Sequence, residues 1–282
     1  MPRKGSIARR KRMKNKYLAA PYLVWMALFT IVPLAIVVYF AFTDSITGQF
    51  TLSNITTLGT YLPIFIKSIW LALLATLICL VIGYPVAWFI ATSSPRGQRL
   101  LYMLVMLPMC MSFLLRTLAW VALLEDTGIL NSLLSRLGIS PLPLIRNDGA
   151  VILGMVYNYL PYMIMPLYTV IMKLDKGLYE AAQDLGCGAG QTFVKVVLPL
   201  SVPGIVSGFT MVFVPAVSTF YISQKLGSSG TTLIGDVIES QFKAAYNPNL
   251  GAALSLVLML MILLCVAVMN RVSGGEEEMV TL

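Results

Sequence analysis

Histidine is absent from all 282 residues. The commonest general base and the commonest metal ligand are therefore missing. Neither H-E-x-x-H nor G-x-x-x-x-G-K-[ST] occurs, so the chain lacks the zinc-protease helix and the phosphate-cradling loop of P-loop ATPases. The four cysteines (Cys79, Cys110, Cys187 and Cys265) stand far apart, with no C-x-x-C. They read as small apolar residues, and they signal neither a disulfide framework nor a metal site. Charge is scarce as well. Only 11% of residues are charged, against about a quarter in a soluble domain. No polar stretch is long enough for a separate soluble domain. These absences argue against an enzyme.

Apolar sequence fills the space that charge leaves. The hydrophobic fraction is 58% and the mean hydropathy is +0.83. A spanning helix needs about 20 mostly apolar residues. Six segments qualify: 17–42, 64–91, 100–124, 151–172, 201–222 and 251–270. The first is too long for the apolar core of a signal peptide, about 7–15 residues, and reads as an uncleaved span. The expected fold is an all-α membrane protein of six transmembrane helices. A basic segment (1–16) precedes the membrane domain (17–270), and a tail (271–282) follows it.

The net charge of +8 is uneven: eight of the twenty Lys/Arg lie between Arg3 and Lys16. Beside an apolar run this reads as a cytoplasmic anchor on acidic lipid headgroups, not as a nucleic-acid site. With six spans both termini fall on that side. Fourteen Lys/Arg then lie inside and five outside, with Arg116 within the third span. The asymmetry supports a bacterial cytoplasmic-membrane protein with both termini in the cytoplasm. Gly83 with Pro85, Pro108, Pro161 with Pro166, and Pro203 with Pro215 recur across spans two to five. They suggest bent helices around a shared cavity, which fits a transporter better than an anchor.

The link 173–200 is then cytoplasmic. Leu174, Leu178, Ala181, Ala182 and Leu185 fall at helical spacing and make one apolar face. Lys176, Glu180, Gln183 and Asp184 make the other. Gly186 stands where a left-handed C-terminal cap favours glycine. A second short helix can run from about Ala189 to Leu198, with Pro199 leading into the fifth span. Two readings fit this pattern: a docking surface for another protein, or an amphipathic helix resting on the headgroups.

The segment EAAQDLGCGAGQTFVKVVLP resembles the cytoplasmic loop of ABC importer permeases, whose pattern is E-A-A-x3-G-x9-I-x-L-P. Glu180, Ala181, Ala182, Gly186, Leu198 and Pro199 match, and Val196 stands for isoleucine. The stretches IGYPVAWFIA, LPMCMSFLLRTLAW, LPYMIMPLY, KLDKGLYEAAQDLG and LPLSVPGIVSG resemble the permeases of spermidine/putrescine importers, and the first of that system's two more narrowly. This similarity covers roughly residues 20–270. It implies a MetI-like fold and a heterodimer with a second permease. It also implies a cytoplasmic ABC ATPase dimer and an extracytoplasmic binding protein that delivers substrate. On this resemblance Glu180, Ala181, Ala182, Asp184, Gly186, Leu198 and Pro199 couple the chain to the ATPase. ATP and Mg would act there, and this chain would bind no cofactor. Permeases for iron, sulfate, thiamine or aminophosphonate share the loop and fold. A passive channel or scaffold would share the spans without the loop pattern.

A polyamine needs acids, carbonyl dipoles and aromatic faces, with cation–π contacts of about 0.5–2 kcal/mol each. Trp120, Tyr157, Asn158, Tyr162 and Tyr221 are candidates for its path or gate. The aromatics also fit an interfacial belt, whereas Asn158 is costly against lipid and should face inward. Polyamine permeases often carry an acid just after a Phe-Tyr pair at the end of the fifth span. Here Phe220 and Tyr221 are followed by Ile222, Ser223, Gln224 and Lys225. Arg116 is expected deep in the third span on a stripe with Ser112 and Trp120. It either pairs with Glu125, Asp126 or an acid of the partner, or snorkels outward.

Overall fold

A backbone in lipid must satisfy its own hydrogen bonds, and an apolar helix does so within one segment. The computed structural model describes residues 21–280 except 23 and 46, with side chains described except at 176, 189, 270 and 272–280. The basic segment 1–16 lies outside these residues. Among the described residues the regular structure is helical, apart from an isolated antiparallel bridge between Thr43 and Phe50. The helices Val24–Ala41, Ser53–Thr92, Asp148–Ile171 and Pro248–Met269 are long and apolar enough to cross a membrane. Two bent pairs, Pro95–Cys110 with Phe113–Arg136 and Gly190–Leu200 with Val202–Val217, raise the number to six if each is one span.

Two compact units are present: described residues up to 59 with 241–257, and 60–240 with 258 onward. In the first, helix α1 (Val24–Ala41) contains a π turn at Ala27–Ile31. The wide turn precedes Pro33, whose ring would clash with the carbonyl four residues back in regular α geometry. Trp25, Phe29 and Ile31 are exposed, as a helix bathed in lipid allows. The end of α1 is anchored by a small core of Ala41, Ala252 and Ala253. Its orphan carbonyls are met by two amides. Asn249 Nδ2 donates to Phe40 O at 3.1 Å and Thr43 O at 2.6 Å, and Asn54 Nδ2 donates to Ala41 O at 3.3 Å.

The second unit is built on α2 (Leu62–Thr92), α6 (Asp148–Ile171) and α9 (Val202–Val217), which pack on one another. Small residues permit the close approach. A methyl group at Gly208 would stand 2.7 Å from Met163 Sδ, and one at Gly204 3.1 Å from Val170. Between these helices in sequence come α3 (Pro95–Met106), α4 (Phe113–Leu124) and α5 (Ile129–Arg136). After α6 come α7 (Lys176–Asp184) and α8 (Gly190–Leu200). After α9 come α10 (Tyr221–Leu226), α11 (Ile234–Lys243) and α12 (Pro248–Val280). The stretch between α10 and α11 is stapled to α2 and α6. Lys67 Nζ lies 3.1 Å from Asp148 Oδ2 and donates to Gly230 O at 2.7 Å, while Thr231 Oγ1 donates to Asp148 at 2.6 Å.

Two expected spans are not continuous helices. The segment 100–124 passes through a 3-10 turn at Leu107–Cys110 and extended backbone at Met111 and Ser112 before α4 begins, with an 88° bend. Pro108 lacks the N–H that would continue α3. The segment 201–222 ends as helix at Val217, and Tyr221 opens a new one. Pro215 sits in the last turn of α9, where its missing donor weakens the ladder. Pro85, Pro161 and Pro166, by contrast, lie inside unbroken helices.

Candidate functional site: the α7–α8 loop and the cavity beside α6

The loop from α6 to α9 is closed at each turn by local hydrogen bonds. Asp175 caps α7 by accepting from Gly177 N–H at 3.0 Å. At the far end Gly186 takes φ +81°, as the cap pattern required. Gly186 N–H donates to Gln183 O at 2.8 Å and Cys187 N–H to Ala182 O at 3.0 Å. These two bonds are a Schellman motif. Nothing lies within 4 Å of where a Gly186 Cβ would stand, so glycine is needed there for its dihedral angle. A π turn at Phe193–Val197 then bends α8, and a 64° break at Ser201 leads into α9.

The expected apolar face of α7 is mostly uncovered. Ala182 is buried, but Leu178 is 44% and Leu185 86% exposed. Glu180, Ala181, Asp184, Gly186, Leu198 and Pro199 are exposed too. The structure thus places Glu180, Ala181, Ala182, Asp184 and Gly186 on or at the end of one short, capped, outward-facing helix with Ala182 as its inward anchor, whereas Leu198 and Pro199 lie at the end of α8. Four aromatic residues on the inner side went unnoticed in the sequence. Trp88 of α2 lies between Tyr179 of α7 (ring centroids 5.7 Å) and Phe193 of α8 (6.0 Å). Tyr84 meets Phe193 at 5.4 Å and shares a 2.7 Å hydrogen bond with buried Ser201. Burial pushes the Tyr179 phenol up, with a smaller contribution from Tyr84. Their only signal was aromatic spacing on α2, since the partners lie about a hundred residues on.

The substrate-path candidates fall into separate groups. Trp120 and Tyr157 meet edge to face at 5.4 Å. Asn158 is 1% exposed and donates to Gly154 O at 2.9 Å, leaving Oδ1 without a partner. It faces inward, as the cost of an amide in lipid requires. Tyr162 approaches Tyr159 at 6.4 Å. Tyr221 lines a cavity of about 340 Å³ with Phe113, Leu114, Tyr159, Pro215, Ser218, Thr219 and Phe220. Lys225 Nζ sits 5.9 Å from the Tyr221 ring centre.

Arg116 differs from expectation. It lies in the first turn of α4, not deep in a long helix, because that helix restarts at Phe113. It is 7% exposed, and its Nε and Nη1 have no partner. It forms no ion pair with Glu125 or Asp126, which are both exposed. Acids do converge just past the Phe-Tyr pair. Ser223 Oγ donates to Asp236 at 2.9 Å and Gln224 Nε2 to Glu239 at 2.9 Å. Burial raises the Asp236 pKa, opposed by hydrogen bonds from Leu233 N–H, Ser223 and Gln224.

A transport reading of these features is matched by sequence comparison. Residues 83–274 fit the model of the binding-protein-dependent transport system inner membrane component family. The chain belongs to this family. It is 38% identical over 258 residues, 88% of its own length and 94% of the relative's, to the spermidine/putrescine transport system permease protein PotB of Escherichia coli. It is 31% identical to the inner membrane ABC transporter permease protein YdcU of the same organism, over 90% of this chain and 83% of that one. A bacterial ABC transporter importing the acidic polysaccharide alginate has the same fold. The TM-score is 0.75 at 20% identity, covering 95% of this chain and 98% of that one. The protein is thus an all-helical permease component of an ABC importer, not an enzyme.

Proposed function

We propose that this chain is a permease subunit of an ATP-driven importer for polyamines of the spermidine/putrescine class. The observation that carries this reading is the 38% identity to a spermidine/putrescine permease over 88% of the chain. In this reading the chain pairs with a second permease. An extracytoplasmic binding protein delivers substrate, and a cytoplasmic ATPase dimer, using ATP and Mg, drives alternating access. The ATPase engages α7 through Glu180, Ala181 and Asp184, with Leu198 and Pro199 at the edge of the contact. The exposure of α7 supports this, because an 86% exposed Leu185 on a short helix held in place by its caps suits a contact that another protein covers. The Lys/Arg asymmetry supports cytoplasmic termini.

The acid missing after Phe220 and Tyr221 in sequence is supplied in space. Asp236 and Glu239 stand against Ser223 and Gln224, and carboxylates there suit a polycation better than an anion. Arg116 works in the opposite sense. A buried guanidinium repels a passing amine unless it is paired, so in this reading an acid of the second permease completes it. Uptake of radiolabelled spermidine and putrescine into vesicles holding the full complex and ATP tests the proposal. Saturable ATP-dependent uptake of an unrelated solute, with none of either polyamine, overturns it.

A further inference from the structure

An exposed docking helix transmits force only if something fixes it to the helices that must move. Among the described contacts of α7 and α8, ring packing onto α2 provides that attachment. Trp88 sits near the end of α2 and touches both halves of the loop, Tyr179 on α7 and Phe193 on α8. One turn back on α2, Tyr84 touches Phe193 and binds Ser201 at 2.7 Å. Ser201 marks the break between α8 and α9 and is fully buried. One indole thus bridges the two loop helices, and one hydroxyl pair pins the hinge behind them. Trp88 and Tyr84 are one helical turn apart, so they share a face of α2.

We propose that Trp88 and Tyr84 are the positioning residues of coupling: they clasp α7 and α8 to α2, so that displacement of the loop moves α2 with it. The inference rests on the reading of α7 as the ATPase contact. Edge-to-face ring pairs resist sliding because their geometry is specific. Aliphatic packing at Ala182 alone would hold α7 in place without fixing its angle. The clasp touches neither the exposed coupling residues nor the cavity lining, so it acts through others.

The test compares Trp88→Ala, Trp88→Phe and Tyr84→Phe in the reconstituted importer, reading ATPase co-purification, ATP hydrolysis and spermidine uptake separately. In Trp88→Ala the ATPase stays bound and hydrolysis changes little, while uptake per ATP falls about tenfold, the scale of losing two aromatic pairs. Trp88→Phe restores most of the coupling, since a ring returns. Tyr84→Phe keeps its ring and loses the hinge bond, and lowers uptake per ATP about two- to threefold. Uptake and hydrolysis falling in proportion, or uptake per ATP unchanged in Trp88→Ala and Tyr84→Phe, overturns the clasp. If Trp88→Ala does not fold, Trp88→Phe, which keeps a ring at this site, decides by fluorescence. Its difference from the intact complex isolates Trp88 emission, which stays constant between nucleotide-free and ATP-trapped states if the clasp moves as one body. A large shift there overturns the proposal. Failure of the underlying reading looks different: Glu180→Ala would then leave ATPase association and uptake at the intact level.

Discussion

The α2–α6–α9 bundle and the α7–α8 loop solve opposite problems. The bundle is closed: Met163, Leu167, Val212 and Ala216 are fully buried, and glycines let the backbones approach. The loop is open, with Leu178, Leu185 and Glu180 exposed and, among the described residues of α7 and α8, Ala182, Thr192 and Val197 turned well inward. Packing holds the bundle, whereas caps and a patch of rings hold the loop. A substitution in the bundle should therefore cost the fold, and one on the loop should cost coupling while the fold survives. The same division separates a stability phenotype from a transport phenotype, which are easily confused in a membrane protein.

The largest effect on the fold is expected at Gly208. Its would-be Cβ meets Met163 Sδ at 2.7 Å and Met163 O at 3.2 Å. The methionine sulfur can swing aside, but Met163 O and the Pro166 ring at 3.3 Å cannot, so Gly208→Val should destabilise by about 1–3 kcal/mol through overpacking. A lowered thermal midpoint in detergent, with less permease recovered from membranes, is the expected result. An unchanged midpoint would show that the bundle is looser at α6–α9 than its geometry states.

Next comes Gly186, on the loop side of the comparison. Asp at φ +81° pays the left-handed penalty of roughly 1–2 kcal/mol. That strain is local, because the Schellman bonds close only the end of α7. Gly186→Asp should leave the midpoint of the bundle nearly intact and weaken ATPase co-purification. Gly186→Asn should do less harm, since Asn tolerates this conformation. Equal loss in both variants would point to side-chain bulk at the docking face in place of backbone strain. Asp175→Ala is expected to be milder. It removes one N-cap bond, worth about 1 kcal/mol, and should loosen the first turn of α7. Faster amide exchange at 176–179 with an unchanged midpoint would register it.

Much of the loop was legible because its signals are local. Helical spacing and the terminal glycine lie within about a dozen residues, and the structure keeps both, while the Asp175 cap, just as local, went unnoticed. Pro108 reads as one bend among several, but the complete break before α4 was not legible. The run LPMCMSFLL is apolar but for Ser112, so hydropathy reads it as one span, and a proline in lipid is often tolerated, as Pro85, Pro161 and Pro166 are. That error also misplaced Arg116 along its helix. The ring clasp was invisible for another reason: Tyr84 and Ser201 are 117 residues apart, and no period connects them. Asp236 and Glu239 were hidden likewise, since they reach Ser223 and Gln224 only through the fold between α10 and α11.

Leu185 gives the sharpest separation of the two regions, because its expected effect on the fold is the smallest. At 86% exposure it contributes almost nothing to packing within this chain. Leu185→Ser should change stability by less than about 0.5 kcal/mol, the range of ordinary surface substitutions. If α7 seats in an ATPase cleft, the same leucine is buried in the complex, and full burial of such a side chain is worth about 1.5–3 kcal/mol. ATPase affinity should then fall roughly tenfold to a hundredfold, read by titrating labelled ATPase onto permease in nanodiscs. A fall in affinity with no shift in midpoint would assign the exposed face of α7 to binding alone. A fall in midpoint would mean that Leu185 is held by this chain, and that loop and bundle are less separable than their packing states. Unchanged affinity would move the contact toward Glu180 and Asp184, on the polar side of the helix.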